Sequence, residues 1–459
     1  MDVMGAFTVP ARRLALALAV TASSLALSVT ADASTALSKR PLVITPVPVA
    51  HPQPQKPQAA QPSQKPQAQA KAPRARQMIS ASKRAPRAEK SQQAEVSAPP
   101  PRDQFTAAEQ EIAAIPGMPD ARFFGDSEKD FLKAVSGADG AWIALSGGGE
   151  EGAFGAGLME GLTASGTRTD FSVVTGVSTG ALMAPYVFLG PRYDAALRAN
   201  YTGINSGDIF ELAKTPESFF DTWPLKKLIE KQITPELLAE IAAEHRKGRR
   251  LFVISTSLDS GRPVVWNIGA IASRGGEASL KLVRDVLLAS SSIPGFFPPV
   301  HIEVEADGKT FTEMHADGTI RAPFYIAPES LLAGSGGARL PASQLYVVVN
   351  SRLGAGFEVT NRSPLSVLGR AITVALKATM RGEILRAYTA AQRHGVGFQL
   401  AVVPADFNQQ GNGVFDTDYM KALYDTGLKL GQSADAFRSI PPGIPETNSA
   451  MQTTGSSPR

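Results

Sequence analysis

From about residue 105 to residue 440 the chain alternates two hydrophobic rhythms. Short, continuous apolar runs fall at 142–146, 171–176, 250–257, 264–268, 345–350 and 397–403. Their length suits strands, and their lack of a polar face predicts strands buried on both sides. Between them lie longer stretches in which apolar residues recur every three or four positions, as helices require. Thr234-Pro235-Glu236 reads as an N-cap followed by an N1 proline, opening a helix to about Lys247. Ser363-Pro364 opens a longer helix to about Gln392 in the same way, and Thr106-Ala107-Ala108-Glu109 has the form of a capping box. Strict alternation appears in Ile302-Glu303-Val304-Glu305 and Thr310-Phe311-Thr312-Glu313, and the Asp307-Gly308 turn between them predicts a hairpin. No internal repeat emerges. The pattern as a whole predicts an α/β fold: a mostly parallel central sheet with helices on both faces.

Two glycine-punctuated turns follow the first two strands. Gly147-Gly148-Gly149-Glu150-Glu151-Gly152 comes after Trp142-Ile143-Ala144-Leu145. Gly176-Val177-Ser178-Thr179-Gly180 comes after Phe171-Ser172-Val173-Val174 and leads into the apolar Ala181-Leu182-Met183-Ala184. A buried strand, a sharp turn carrying one serine and an apolar helix predict a nucleophile elbow, with Ser178 exposed at a helix N-terminus. The triplet Gly147, Gly148 and Gly149 carries no side chains to cover its backbone N–H groups, which suits it to an oxyanion hole. Each turn alone has a plainer reading. G-x-S-x-G arises by chance in glycine-rich chains, and a glycine-rich turn before a helix commonly binds phosphate. Here, however, the first turn fits neither G-x-G-x-x-G nor a P-loop, and Glu150 and Glu151 stand where an anion would be repelled. The two turns in this order are far more specific than either.

A serine nucleophile needs a base. The histidines at 51, 245, 301, 315 and 394 have no evident catalytic setting. The carboxylate of Asp317 in His315-Ala316-Asp317-Gly318-Thr319 directly follows the hairpin, although an Asp-Gly pair is usually a turn. Leu158, Met159, Leu162, Met183 and Phe188, and the group Ile293, Phe296, Phe297 and Val300, read first as core and second as acyl-chain contacts.

These residues resemble the patatin-like phospholipases, lipid acyl hydrolases with a Ser-Asp dyad. Their G-G-G-x-R/K-G motif falls on Gly147 to Gly152, their G-x-S-x-G on Gly176 to Gly180, and their D-G-A/G on Asp317-Gly318-Thr319. Ser255-Thr256-Ser257-Leu258-Asp259-Ser260-Gly261 and Ala289-Ser290-Ser291-Ser292-Ile293-Pro294-Gly295-Phe296-Phe297-Pro298-Pro299-Val300 look like further family segments. The resemblance covers roughly residues 140 to 350. It implies a three-layer α/β/α fold, with Ser178 as nucleophile, Asp317 as base and the N–H groups of Gly147 to Gly149 as oxyanion donors. Gly152, Gly176, Gly180 and Gly318 complete the motifs. The implied substrate is an acyl ester of a lipid, with contact at a membrane surface as a further expectation; no cofactor and no metal are called for. Two positions depart from the pattern: Glu151 replaces the usual basic residue, and Thr319 replaces Ala or Gly. The negative charge of Glu151 opposes a developing oxyanion and motivates an alternative, a non-catalytic lipid-binding protein on a hydrolase fold. A second alternative is a Ser-His-Asp esterase with His394 as base, in the chain order Ser178, Asp317, His394.

Composition sets this unit in a longer chain of 459 residues. Residues 1–33 read as a secretory signal peptide: Arg12-Arg13, an apolar stretch over 14–29 with Thr21, Ser23, Ser24 and Ser28, then Ala31-Asp32-Ala33 as cleavage site. That stretch is short and polar for a bilayer span, so the expected location is outside the cytoplasm, in a periplasm or cell envelope or secreted. Residues 34–104 form a Pro-, Gln- and Lys-rich linker without the apolar residues that ordering needs. Residues 34–102 carry a net charge of +10, while residues 103–459 carry −6. The basic overall balance therefore belongs to the linker, and a nucleic-acid partner is not expected. The hydrolase domain is expected over 105–440, and the Pro-, Ser- and Thr-rich residues 441–459 as an unstructured tail. The absence of cysteine excludes disulfides and a thiol-linked lipid anchor in this sequence.

Overall fold

A computed structural model describes residues 102–444, apart from 214–217, 336, 355 and 358 and the side chain of Leu365. The signal-like segment 1–33, the linker up to residue 101 and the tail from residue 445 lie outside the described residues. In chain order the strands are β1 (Arg122–Phe124), β2 (Ala141–Leu145), β3 (Phe171–Val177), β4 (Glu211–Leu212), β5 (Phe220–Asp221), β6 (Arg250–Ser257), β7 (Pro263–Asn267), β8 (Val300–Ala306), β9 (Lys309–Asp317), β10 (Gln344–Val349) and β11 (Gly397–Val402). β4 and β5 pair only with each other. The other nine form one sheet ordered β1-β7-β6-β3-β2-β10-β11, with the β8–β9 hairpin joined through β9 to β6.

The expected parallel core is present: β11, β10, β2, β3 and β6 all run the same way. Beyond β6 the sheet turns antiparallel, through β7 and β1 on one side and β9 on the other, so the sheet as a whole is mixed. A five-residue connection, Leu258 to Arg262, brings the chain straight back as a hairpin between β6 and β7, leaving no length for a crossover helix. The continuous apolar runs are buried on both faces, as their sequence required. Ile143 and Leu145 face one hydrophobic layer while Trp142 and Ala144 face the other. Val253 and Ile254 divide in the same way. The first layer contains helices Gly152–Ala164, Thr179–Leu189, Gly276–Ser290 and Thr417–Gly431; the second contains the C-terminal half of helix Pro364–His394.

Local signals hold at the helix starts. The Thr106 hydroxyl accepts from Glu109 N while the Glu109 carboxylate accepts from Thr106 N, and Thr234 caps helix Pro235–Arg246. The glycine content of helix Gly152–Ala164 has a different cause from close packing on the sheet, the cause its position next to a strand suggests. Gly157 and Gly161 face helix Thr417–Gly431 instead, where Gly427 and Gly431 face back. A methyl group at Gly157 would overlap the Tyr424 carbonyl, and one at Gly427 would overlap the Phe154 carbonyl. Two i, i+4 glycine pairs thus let two helix backbones touch, offsetting the propensity cost of glycine. At the other end, Arg102 and Asp103, assigned to the linker by composition, are tied to the domain. The Arg102 guanidinium grips Asp259 at 2.6 and 2.9 Å, and the Asp103 carboxylate accepts from Thr312 N at 3.2 Å.

Candidate active site

Strand register brings Ser178 and Asp317 together. β3 pairs with β6 as far as Val177 opposite Ile254. β7 occupies the other edge of β6, opposite residues 252–256. β9 therefore takes over the edge that β3 vacates, and places Asp317 opposite Ser255, the residue after Ile254. The residue after Val177 is Ser178. Two strands that abut end to end along one edge of β6 thus set the two side chains next to each other.

Ser178 has φ 54° and ψ −124°, a conformation disfavoured for any residue with a Cβ and retained only where neighbours enforce it. Enforcement is visible on both sides. A methyl group at Gly176 would overlap the Gly180 carbonyl, and one at Gly180 would overlap the Leu145 carbonyl, so strand, turn and helix pack as tightly as glycine permits. Ser290, the last residue of helix Gly276–Ser290, accepts from Ser178 N at 3.0 Å and donates to Ile254 O at 2.6 Å.

The Ser178 hydroxyl donates to Asp317 Oδ2 at 2.6 Å. Asp317 is 1 % exposed, and Ser178 is 7 %. The second carboxylate oxygen, Oδ1, accepts from Thr319 N at 2.8 Å, which fixes the carboxylate plane. The Asp317 backbone is held too: its N–H donates to Ser292 O at 2.8 Å and its carbonyl accepts from Thr256 Oγ1 at 3.0 Å. Burial pushes the Asp317 carboxyl up to about 6, against the hydrogen bonds from Ser178 and Thr319 that favour its charged form. Gly318 follows because a methyl group there would overlap the Ile254 carbonyl.

The glycine triplet lies beside this pair. A methyl group at Gly147 would sit 3.2 Å from Ser178 Cβ and overlap the Thr319 hydroxyl. The sequence expectation needs one correction here: Gly147 N–H donates to Pro323 O at 3.0 Å and is already satisfied by the fold. Gly148 N–H and Gly149 N–H find no protein acceptor among the described residues, which leaves two donors of the expected three. The loop is fixed by residues the sequence did not single out. Asn350, fully buried just past β10, donates through Nδ2 to Ser146 O at 2.9 Å and accepts at Oδ1 from Gly155 N at 3.1 Å. Ser146 Oγ accepts from Asn350 N at 2.8 Å and donates to Gly147 O at 2.7 Å. An asparagine ending an apolar strand was the available signal, but only the sheet order puts β10 next to β2.

Glu151 has partners that the sequence could not show. Its carboxylate accepts from the Tyr419 hydroxyl at 3.1 Å and lies 3.5 Å from Arg352 Nε. The carboxylate of Glu150 accepts from Phe415 N, and burial raises its pKa. The acidic pair thus anchors the start of helix Thr417–Gly431 onto the glycine turn, with a cation at hand.

The histidines lie elsewhere. His394 Nε2 bonds to the Leu331 carbonyl at 3.1 Å, at the end of its helix. His315 is fully buried on β9, between Glu313 at 3.1 Å and Ser255 at 3.1 Å. Burial lowers its pKa, and burial also acts to raise that of Glu313, but the bonds from His315 and Arg122 outweigh it and hold Glu313 at about 2. With the hydroxyl of Ser178 bonded directly to Asp317, no imidazole stands between them as a Ser-His-Asp triad requires. His51 lies outside the described residues. Leu158, Met159, Leu162, Met183 and Phe188 are core. Phe297 is buried, whereas Ile293, Phe296 and Val300 are half-buried.

Part of the chain is similar to known proteins. Residues 143–328 match the family model of patatin-like phospholipases. The match contains all three motifs and the whole β3–β6–β9 junction. The fold fits it, a mixed central sheet with helices on both sides. A solved structure of VipD from Legionella pneumophila is similar at 12% sequence identity and a TM-score of 0.32, covering 64% of this chain and 66% of that one. No curated protein matches the chain. The patatin-like match supports lipid acyl hydrolase activity in general.

Proposed function

We propose that the protein is an exported hydrolase of lipid acyl esters, of phospholipase A type, working through a Ser178–Asp317 dyad. The observation that carries this reading is the 2.6 Å bond between Ser178 Oγ and Asp317 Oδ2. Ser178 Oγ attacks the ester carbonyl carbon, and its proton passes to Asp317 Oδ2. The negative charge that develops on the carbonyl oxygen is received by Gly148 N–H and Gly149 N–H. As the tetrahedral intermediate collapses, Asp317 returns the proton to the leaving alkoxide, and the acyl group stays on Ser178. Water then attacks the acyl-enzyme with Asp317 as base, releasing the fatty acid and restoring the serine.

A carboxylate is a weak base in water, with a pKa near 4. The raised value of Asp317, about 6, brings it closer to the task and still leaves it ionised at neutral pH. Thr319 N–H reserves Oδ1, so that only Oδ2 faces the hydroxyl. The partners of Glu151 weaken the case for a lapsed enzyme, because its charge is taken up by Tyr419 and Arg352.

Hydrolysis of p-nitrophenyl esters by the purified protein tests the reading. Ser178→Ala and Asp317→Ala should each lower kcat by at least about 10³-fold, and His394→Ala should leave it unchanged. A fluorophosphonate probe should label the protein but not Ser178→Ala. Full activity in Asp317→Ala would sink the dyad.

A further inference from the structure

Helix Pro364–His394 buries residues only in its second half. Among the described side chains the first buried one is Met380. The preceding residues 364–379 are nevertheless apolar, with Val367 55 % and Val374 50 % exposed. The loop that leads into the helix adds Phe357 at 95 % and Val359 at 80 %. Val367, Ala371, Val374 and Ala378 follow at i, i+4, i+7 and i+11, which lines them up on one outward stripe. Arg370, Lys377 and Arg381 repeat at i, i+7 and i+11 along its flank, and Arg362 precedes them. From residue 359 to residue 382 there is no aspartate or glutamate.

The patch continues onto a segment that also touches the dyad. The Phe296 ring lies against Gly369 of the helix and makes an edge contact with Phe219, itself half exposed. Phe296 belongs to the same short segment as Ser292, whose carbonyl holds Asp317 N–H. The other end of the patch is tied down as well: Arg370 donates to Gly356 O at 2.7 Å and Arg381 to Leu353 O at 3.2 Å.

We propose that residues 364–379, with Phe357 and Val359, dock on the surface of an anionic lipid bilayer, the helix lying in the headgroup plane beside the active-site mouth. Contiguous apolar surface of this kind marks an interaction site. No described helix is long and apolar enough to cross a membrane. A second copy of the chain is a poor occupant. A two-fold contact through this face would bring Lys377 and Arg381 of one molecule against those of the other. An anionic bilayer accepts both features, taking the apolar stripe into the acyl boundary while the flanking cations meet headgroup phosphates.

The test uses the full chain carrying Ser178→Ala, so that lipid is not consumed and binding is read apart from hydrolysis. Co-sedimentation is measured with vesicles of phosphatidylglycerol and phosphatidylcholine, and with phosphatidylcholine alone. The combined variant Val367→Asp, Leu368→Asp, Val374→Asp should bind the anionic vesicles at least tenfold more weakly, with an unchanged circular dichroism spectrum. Lys377→Gln should weaken binding by about fivefold. The basic linker is present in every variant, so these differences report the helix. Because the chain has no cysteine, Val374→Cys can carry a polarity-sensitive fluorophore. Its emission should shift to the blue on anionic vesicles, whereas the same label at Lys421→Cys should not shift. Undiminished binding by the triple variant, or no shift at 374, would overturn the proposal, as would a solution dimer that the triple variant dissolves. Vesicle binding without ester hydrolysis by the unmodified chain would instead count against the hydrolase reading alone.

Discussion

Two helices with apolar stretches have opposite fates. Helix Gly152–Ala164, which begins at the glycine turn, buries nearly all of its residues. The first sixteen residues of helix Pro364–His394 bury none of their described side chains. Both stretches are rich in Ala and Leu, although the second also carries Arg370 and Lys377. What separates them is a partner of the right shape. Gly157 and Gly161 meet Gly427 and Gly431 at backbone distance, whereas the outer stripe of the long helix meets no protein among the described residues and is flanked by cations. The first helix is a finished internal interface. The second is an outward apolar stripe flanked by cations, the surface for which we propose a lipid bilayer as partner.

Substitutions that add bulk to each helix are the strongest way to break this comparison. Gly157→Leu should cost about 3 kcal/mol of stability, because its side chain must displace the Tyr424 carbonyl. Ala371→Leu, on the exposed stripe, should change stability by less than about 0.5 kcal/mol. Urea denaturation of both variants checks the pair, and equal losses would mean that the long helix is packed after all.

The packed side also holds the reactive groups in place, and Asn350 sharpens that point. Asn350→Ala removes the bonds that fix the glycine turn to β10 and should lower kcat by about 10- to 100-fold while leaving KM largely unchanged. A loss confined to KM would assign Asn350 to substrate binding instead.

The next effect concerns the base. Hydrolysis requires ionised Asp317, so kcat/KM should be flat above about pH 6 and fall tenfold per pH unit below it. A profile controlled by a group near pH 4 would mean that burial does not tune Asp317.

The same burial has a stability consequence of opposite direction. The folded pKa lies above the unfolded value near 3.9, so the folded state holds a proton more tightly, and stability is lost as pH rises from about 4 through about 6. Asp317→Asn, which cannot ionise, should therefore gain on the order of 2 kcal/mol at neutral pH and nothing below about pH 4. Thermal unfolding at pH 7 and pH 4 decides this smallest effect.

Much of the catalytic reading was legible because it depends on short-range sterics. A serine between glycines after a buried strand, an Asp-Gly at the end of a hairpin, and caps at Thr106 and Thr234 each describe a few adjacent residues. The strands were legible for the same reason, since being buried on both sides leaves a continuous apolar run. Where reading failed, the cause was always a distant partner. The glycines Gly157 and Gly161 have no explanation in their own segment, because Gly427 and Gly431, which they meet, lie about 270 residues away in sequence. Gly147 counted as an oxyanion donor until Pro323 appeared opposite it, and Glu151 read as a bare charge until Tyr419 and Arg352 did.

The sequence alone determined the alternation of strands and helices and the tight serine turn, because each is written in local pattern and glycine placement, whereas Asp317 was named as base through the family resemblance. Only the tertiary structure decided that β9 continues the edge of β6 where β3 stops, which sets Asp317 against Ser178. It also decided that one apolar helix finds a glycine-lined groove while the other faces outward. Which surfaces meet depends on sheet order and backbone distance, and neither is encoded in any single segment of the chain.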